Sequence, residues 1–229
     1  MPDRSARPRV IAATDPDAIR LAVAALRAGE VIAIPTDTVY GFAASIDRVD
    51  ALERLYAVKQ RPAEKAIPVL LRGPENVAAV ARALHPPAAA LARRFWPGAL
   101  TLVVEARPGL PERVTATDER GRRTVALRVP DHPVALAIVA AAGGALAVTS
   151  ANRSGEPPAL EAEALAGADP APDLIVDGGR APGGVPSTIV LISDHGLEVL
   201  REGAISRSAL EAALGDFDRD VEASRFGAV

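Results

Sequence analysis

The sequence predicts an α/β fold built on a mixed sheet. Short aliphatic runs of strand length alternate with segments whose apolar residues recur at helical spacing, and several strand-like runs then follow one another towards the C-terminus. Of the 229 residues 49% are hydrophobic but only 3% aromatic, so the core has to come from Ala, Val, Leu and Ile. No internal repeat and no proline- or glycine-rich linker divides the chain. One domain is therefore expected at 13–214, between a flexible N-terminal stretch, 1–12, and a C-terminal tail, 215–229.

Thr14-Asp15-Pro16 offers a capping side chain and an early proline; Ile19, Val23 and Leu26 recur at helical spacing, and Gly29 stops the helix. A short buried strand at 31–35 leads into the polar turn Thr36-Asp37-Thr38-Val39-Tyr40-Gly41. Val49, Leu52, Leu55 and Val58 mark a second helix, which exits through Lys59-Gln60-Arg61-Pro62; Pro62 disfavours helix at Arg61. A strand follows at 67–71, then proline-started helices at 74–83 and 86–95, the turn Trp96-Pro97-Gly98-Ala99 and a strand at 100–105. Residues 107–123 read as a loop, 124–129 as an alternating strand, and 133–142 as an apolar helix closed by Gly143-Gly144. The strand at 146–149 runs into Ser150-Ala151-Asn152. Strands at 174–176, 188–192 and 197–201 and a Ser206-capped helix to 214 complete the pattern, with a Gly/Pro loop at 177–186.

The bulk chemistry removes several function classes. A net charge of −3 argues against a general polyanion binder. Arg120 to Arg123 with Arg128 forms a local basic cluster, readable as a solvated loop or as an anion site. Scarce aromatics argue against a surface on which single-stranded bases stack. The absence of cysteine excludes disulfides, thiolate metal sites and cysteine nucleophiles. His85, His132 and His195 form no HxxxH or HExxH pattern, which argues against a histidine metal site. No apolar run of about 18 residues occurs and the Met-Pro-Asp-Arg start lacks a signal-peptide pattern, so a cytoplasmic protein without membrane association is expected.

No GxxxxGK[ST], GxGxxG or GxSxG motif is present, so a nucleotide would need another cradle. Two pairs at i, i+2 spacing supply candidates. Lys59 and Arg61 are two cations at a helix exit, where interaction with the helix dipole is the alternative reading. Ser150 and Asn152 at a strand exit point to the same side of an extended segment, and each is also a turn former. Arg128 inside an apolar strand calls for an anion, because burying it unpaired is costly. Thr36 and Thr38 after a strand, Ser187-Thr188 opening one and Arg201 ending one admit structural readings as well. The set lies at element ends, where sites collect in α/β proteins, and it is rich in cations and hydroxyls but poor in nucleophiles. Such a set suits phosphoryl or nucleotidyl transfer, in which the protein positions reactants and neutralises charge.

Pro35-Thr36-Asp37-Thr38-Val39-Tyr40-Gly41, Lys59-Gln60-Arg61-Pro62, Trp96-Pro97-Gly98, Arg128-Val129-Pro130-Asp131-His132-Pro133, Ser150-Ala151-Asn152 and Ser187-Thr188-Ile189-Val190 stand in one order along the chain. Over residues 16–206 they resemble the YrdC-like threonylcarbamoyl-AMP synthases, in the single-domain form. The resemblance implies a twisted, open mixed sheet with flanking helices and a large concave cavity. It implies a nucleotidyltransferase that converts ATP, L-threonine and bicarbonate to threonylcarbamoyl-AMP and pyrophosphate, for threonylcarbamoyladenosine modification of tRNA by downstream transferase proteins. By the same resemblance Lys59 and Arg61 are catalytic and bind ATP phosphates. Ser150 and Asn152, with Thr115 and Arg201, complete the ATP set; Thr36, Arg128 and Ser187 hold threonine, with Arg128 on its carboxylate. Mg2+ would accompany ATP, with no protein ligand identified.

The pattern is departed from at Ala66, where the family often has proline after the lysine, at Ala99 in the Trp-Pro-Gly turn, and at Leu70, near which some members carry a threonine-contacting histidine. These bear on loop geometry and one substrate contact. Two rival readings accompany the synthase: a protein of this fold that contacts RNA or a nucleotide without making the adenylate, and carbamoyl transfer as in hydrogenase-maturation proteins. The intact KxR and SxN patterns disfavour the first, and the lack of cysteine motifs disfavours the second.

Overall fold

The computed structural model describes residues 7–168, 170–193 and 196–226. His195, residues 1–6 of the expected flexible stretch and residues 227–229 of the expected tail lie outside them. In chain order the elements are β1 (Arg9–Ala12), α1 (Ala18–Arg27), β2 (Ile32–Ile34), β3 (Gly41–Ala44), α2 (Val49–Lys59), β4 (Val69–Leu71), α3 (Val77–Val80), α4 (Pro86–Phe95), β5 (Leu100–Glu105), β6 (Ala116–Thr117), β7 (Arg123–Arg128), α5 (Pro133–Ala141), β8 (Ala145–Ser150), α6 (Glu163–Ala166), β9 (Leu174–Asp177), β10 (Thr188–Ser193), β11 (Gly196–Arg201) and α7 (Arg207–Phe226). All the strands join one mixed sheet in the order β1-β9-β2-β3-β8-β4-β7-β5-β10-β11, with β6 beside β7. The pairs β1/β9, β9/β2, β4/β7 and β5/β10 are parallel and the others antiparallel. The expected α/β class and mixed sheet are what the chain forms.

Alternation along the strands sends their aliphatic side chains into two cores. Val69, Leu71, Leu100, Leu102, Leu127 and Val190 pack on one face with Leu52 and Leu55 of α2, Leu91 of α4 and Leu210 of α7. On the other face Ile32, Ile34, Ala43, Leu70, Leu146 and Val176 pack under Leu26 of α1 and Ile138 of α5. This second core takes no described residue from β5, β7, β10 or β11. Residues paired across neighbouring strands share a face. Leu70 pairs with Arg128, and Ile189 pairs with both Thr101 and Arg201. The polar row therefore begins where the helical cover stops, and that boundary positions the site.

The structure departs from the sequence expectations at several places. Residues 9–12, placed in the flexible stretch, form β1, because the edge of β9 offers a parallel register from Arg9↔Leu174 to Ala12↔Asp177. The tail expected from 215 is instead helical to Phe226. The helix expected at 74–83 is a 3-10 turn, Pro74–Asn76, followed by the short α3, since Ala81 turns extended and bridges to Ala106. The loop expected at 107–123 contains the 3-10 turn Glu112–Val114 and β6.

Candidate active site

A pocket of about 660 Å3, counting its open mouth, lies on the uncovered half of the second face. Thr36, Arg61, Arg128, Ser150, Ser187 and Arg201 line it, drawn from segments up to 165 residues apart in sequence. Lys59 and Asn152 stand directly behind Ser150. Thr115 is not in the lining: its hydroxyl donates to the carbonyls of Pro111 and Glu112 and accepts from the Arg123 guanidinium, which binds it into its own loop.

Lys59 ends α2, whose C-cap Gln60 adopts the left-handed conformation and donates to Ala57 and Tyr56. That reversal, followed by Pro62, stops the helix and separates the two cations. The Lys59 ammonium donates to the Ser150 carbonyl (2.7 Å), Ser150 Oγ (2.9 Å) and Asn152 Oδ1 (2.5 Å). Ser150 and Asn152 thus meet on one side, on the lysine itself. The Asn152 amide nitrogen donates to the carbonyls of Arg153 and Glu156, and the Ser154 N–H donates to the Lys59 carbonyl, so the turn is stitched to the end of α2. Arg61 donates to the carbonyls of Lys65 (2.7 Å) and Ala66 (2.5 Å) and to Thr149 Oγ1 (3.3 Å). Burial, and then the charges of Arg61 and Arg201, push the Lys59 ammonium down to about 7.

Arg201 donates through Nε and Nη2 to the Ser187 carbonyl (3.1 and 2.7 Å) and through Nη2 to Ser187 Oγ (3.1 Å), which also hydrogen-bonds Thr101 Oγ1 (2.8 Å). Burial lowers its pKa, and the charges of Arg128 and Arg61 lower it further. Arg128 donates to the Gly98 carbonyl (2.8 Å), Thr38 Oγ1 (3.0 Å) and Asp37 Oδ1 (2.6 Å). Burial lowers its pKa too, but there the Asp37 carboxylate opposes the shift. The anion that the buried arginine calls for is thus present in the chain. The Thr36 hydroxyl donates to the Val39 carbonyl (2.6 Å) and accepts from the Thr38 and Val39 amides, closing the turn. With its proton committed, it meets a ligand as an acceptor. Gly41 lets Val148 pack close beside this turn: a Cβ there would stand 2.7 Å from Val148 Cγ1.

Asp37, Thr38, Thr101 and Thr149 are site neighbours that sequence reasoning did not assign. A polar residue inside the apolar strand 100–105 was the available signal for Thr101; Asp37 and Thr38 stood within a quoted motif. Among the described residues no group of three or more His, Cys, Asp or Glu side chains could hold a metal. The cationic and hydroxyl-bearing lining does not fit a protein-held divalent cation.

Comparison with known proteins places the chain in a family. The profile of the Sua5/YciO/YrdC family, described as "Telomere recombination", matches residues 24–203. The threonylcarbamoyl-AMP synthase of Bacillus subtilis is 39% identical over 92% of this chain and 60% of its own length. The structure of Pyrococcus abyssi Sua5 complexed with L-threonine superposes with a TM-score of 0.82 at 31% identity, over 92% of this chain and 61% of that one. Escherichia coli YciO superposes with a TM-score of 0.76 at 26% identity, over 90% of this chain and 99% of that one. The chain thus spans less than two thirds of the Bacillus and Pyrococcus proteins. A family profile that runs from within α1 to just past β11, and so takes in every residue lining the pocket, leaves one conclusion: the chain belongs to the Sua5/YciO/YrdC family.

Proposed function

We propose that the protein is a nucleotidyltransferase that makes threonylcarbamoyl-AMP from ATP, L-threonine and bicarbonate. The observation that carries this reading is the gathering of Arg61, Arg128 and Arg201 with hydroxyls around one pocket, with Lys59 bonded to its Ser150 from behind and no cysteine or histidine among the described lining residues. The amino group of threonine takes up carbon dioxide or bicarbonate as a carbamate, with loss of water in the latter case. The carbamate oxygen attacks the α-phosphorus of ATP, and pyrophosphate leaves. The substrates supply the nucleophile, so the chain has to position them and offset charge.

Lys59 and Arg61 carry the phosphates in this reading, with an incoming phosphate oxygen replacing one of the three neutral acceptors around the Lys59 ammonium. Ser150, Asn152 and Arg201 complete the ATP side. Arg128 uses its remaining N–H groups on the threonine carboxylate, while Thr36 and Ser187 approach its polar groups. Thr115 has no contact that supports an ATP role. Mg2+ enters as part of the substrate, on the ATP phosphates. Transfer to tRNA belongs to downstream proteins, and a cytoplasmic location follows from where tRNA and ATP are found.

Mass spectrometry of the product formed from ATP, threonine and bicarbonate tests this. The expected product carries both AMP and the threonylcarbamoyl group, with pyrophosphate released only when threonine is present. Pyrophosphate release that ignores threonine would overturn the assignment, and salt-sensitive RNA binding without any release would favour the RNA-binding reading.

A further inference from the structure

The proposed reaction brings one polyphosphate and one amino acid to a pocket lined by three arginines, with a fourth cation, Lys59, directly behind Ser150. Attraction alone would let the phosphates settle on any of them, because the charges stand close: Arg201 feels both Arg128 and Arg61. Of these four cations only Arg128 has a carboxylate partner among the described residues, while Lys59, Arg61 and Arg201 donate to neutral oxygens. The Arg128–Asp37 pair is no loose surface contact. Its side chains are 8% and 14% exposed, at 2.6 Å. The glycine loop before Ser187 pins Asp37 from behind: a Cβ on Gly183 would stand 2.5 Å from the Asp37 carbonyl oxygen, and the Gly184 N–H donates to the Thr38 carbonyl (2.8 Å). Only glycine allows that approach, which holds the Asp37 main chain, while the carboxylate is held by its bond to Arg128.

We propose that Asp37 is a specificity-determining residue: by neutralising Arg128 it confines the polyphosphate to Lys59, Arg61 and Arg201 and reserves Arg128 for a single carboxylate. The proposal rests on the functional reading above. It is specificity by exclusion, since the wrong placement is made unattractive while the right one is left alone. Asp37→Asn keeps the size of the side chain and an oxygen for the Arg128 hydrogen bond but removes the charge. Arg128 then joins the other cations as a phosphate site.

The test is calorimetric titration of L-threonine with and without inorganic pyrophosphate. In the wild type, saturating pyrophosphate is expected to change threonine affinity less than about twofold, whereas Asp37→Asn is expected to lose about tenfold or more. Without pyrophosphate Asp37→Asn is expected to bind threonine at least as well as the wild type, which damage to the fold would not produce. Asp37→Glu, which retains the charge, is expected to show no competition. Should Asp37→Asn not fold, Arg128→Gln provides the converse: an uncompensated Asp37 lowers pyrophosphate affinity, and unchanged affinity overturns the proposal. Asp37→Asn that is as indifferent to pyrophosphate as the wild type overturns it too. Wild-type protein that binds neither threonine nor pyrophosphate overturns the functional reading instead, so the two failures are distinguishable.

Discussion

Two groups of cations stand at the same pocket, Lys59 behind its Ser150 wall and the arginines in its lining, in opposite electrical states. Lys59, Arg61 and Arg201 sit among carbonyls, hydroxyls and a side-chain amide, with no carboxylate partner among the described residues. Arg128, more buried than Arg61 or Arg201, shares its charge with Asp37. Burial lowers the pKa of all four, but only for Arg128 does a carboxylate act against the shift. A buried positive charge without a counter-ion costs stability. Lys59 is such a charge, and a fold that sets the half-buried Arg61 and the more exposed Arg201 beside it has left a place for negative charge to arrive with a ligand. The paired arginine marks a place where the ligand brings much less of it.

The sharpest way to break this contrast is to remove the most buried member of the uncompensated group. Lys59→Ala is expected to lower pyrophosphate release by about 10²–10³, the usual cost of losing one group that stabilises developing charge. Circular dichroism is expected to be unchanged, because Lys59 is the last residue of α2 and its ammonium bonds only to the Ser150 and Asn152 turn. Near-normal turnover would take Lys59 out of the mechanism.

Ionic strength probes the contrast without mutation. Raising salt from about 0.1 M to 1 M shortens the screening length from about 10 Å to 3 Å. Below pH 7, where Lys59 carries its charge, the KM for ATP is expected to rise severalfold, since three unpaired cations attract it. The KM for threonine is expected to stay within about twofold, since Arg128 and Asp37 already screen each other at contact. Equal salt dependence in a steady-state assay would show that the pocket is electrically uniform.

The sequence made half of this contrast legible. Spacing placed Lys59 with Arg61 and Ser150 with Asn152, and each pair lies at the element end expected for it. The strand at 100–105 and the helix at 86–95 were readable because their apolar patterns are local. Asp37 was in view but its role was not, because its partner Arg128 lies 91 residues away. β1 was illegible for the same reason: Arg9–Ala12 has no buried residue and exists as a strand only through register with β9. β3 hid in Gly41-Phe42-Ala43-Ala44, where Phe42 alone favours a strand and the small residues around it are held by β2 and β8 on either side. The acidic run after Gly215 read as a tail, yet α7 carries through it. Thr115, carried over by resemblance alone, is where a motif position and a pocket position part company.

The smallest expected effect concerns stability, and its sign follows from the uncompensated charge. The Lys59 ammonium is lowered from an ordinary 10.5 to about 7. Between those values the unfolded chain binds a proton at this position and the folded chain does not, so stability rises with pH across the window and the charge is most costly below it. His132, lowered by burial, acts on the acid side of the window. Tyr40, raised by burial, acts in the opposite sense near its alkaline edge. The clean interval is therefore pH 7 to 9, within the Lys59 window and short of the ordinary tyrosine value of 10. Lys59→Met removes the charge and keeps the apolar stem. Its melting temperature relative to the wild type is expected to be most favourable at pH 7 and to fall towards pH 9, by on the order of 1 kcal/mol or about 2–4 °C in a domain of this size. The loss of three hydrogen bonds to Ser150 and Asn152 adds a constant offset, because none of those acceptors titrates in the interval. The slope is therefore the readout rather than the sign at any one pH. A difference that does not vary with pH would mean that the Lys59 charge is as well compensated as that of Arg128, and the contrast between the two groups would not hold.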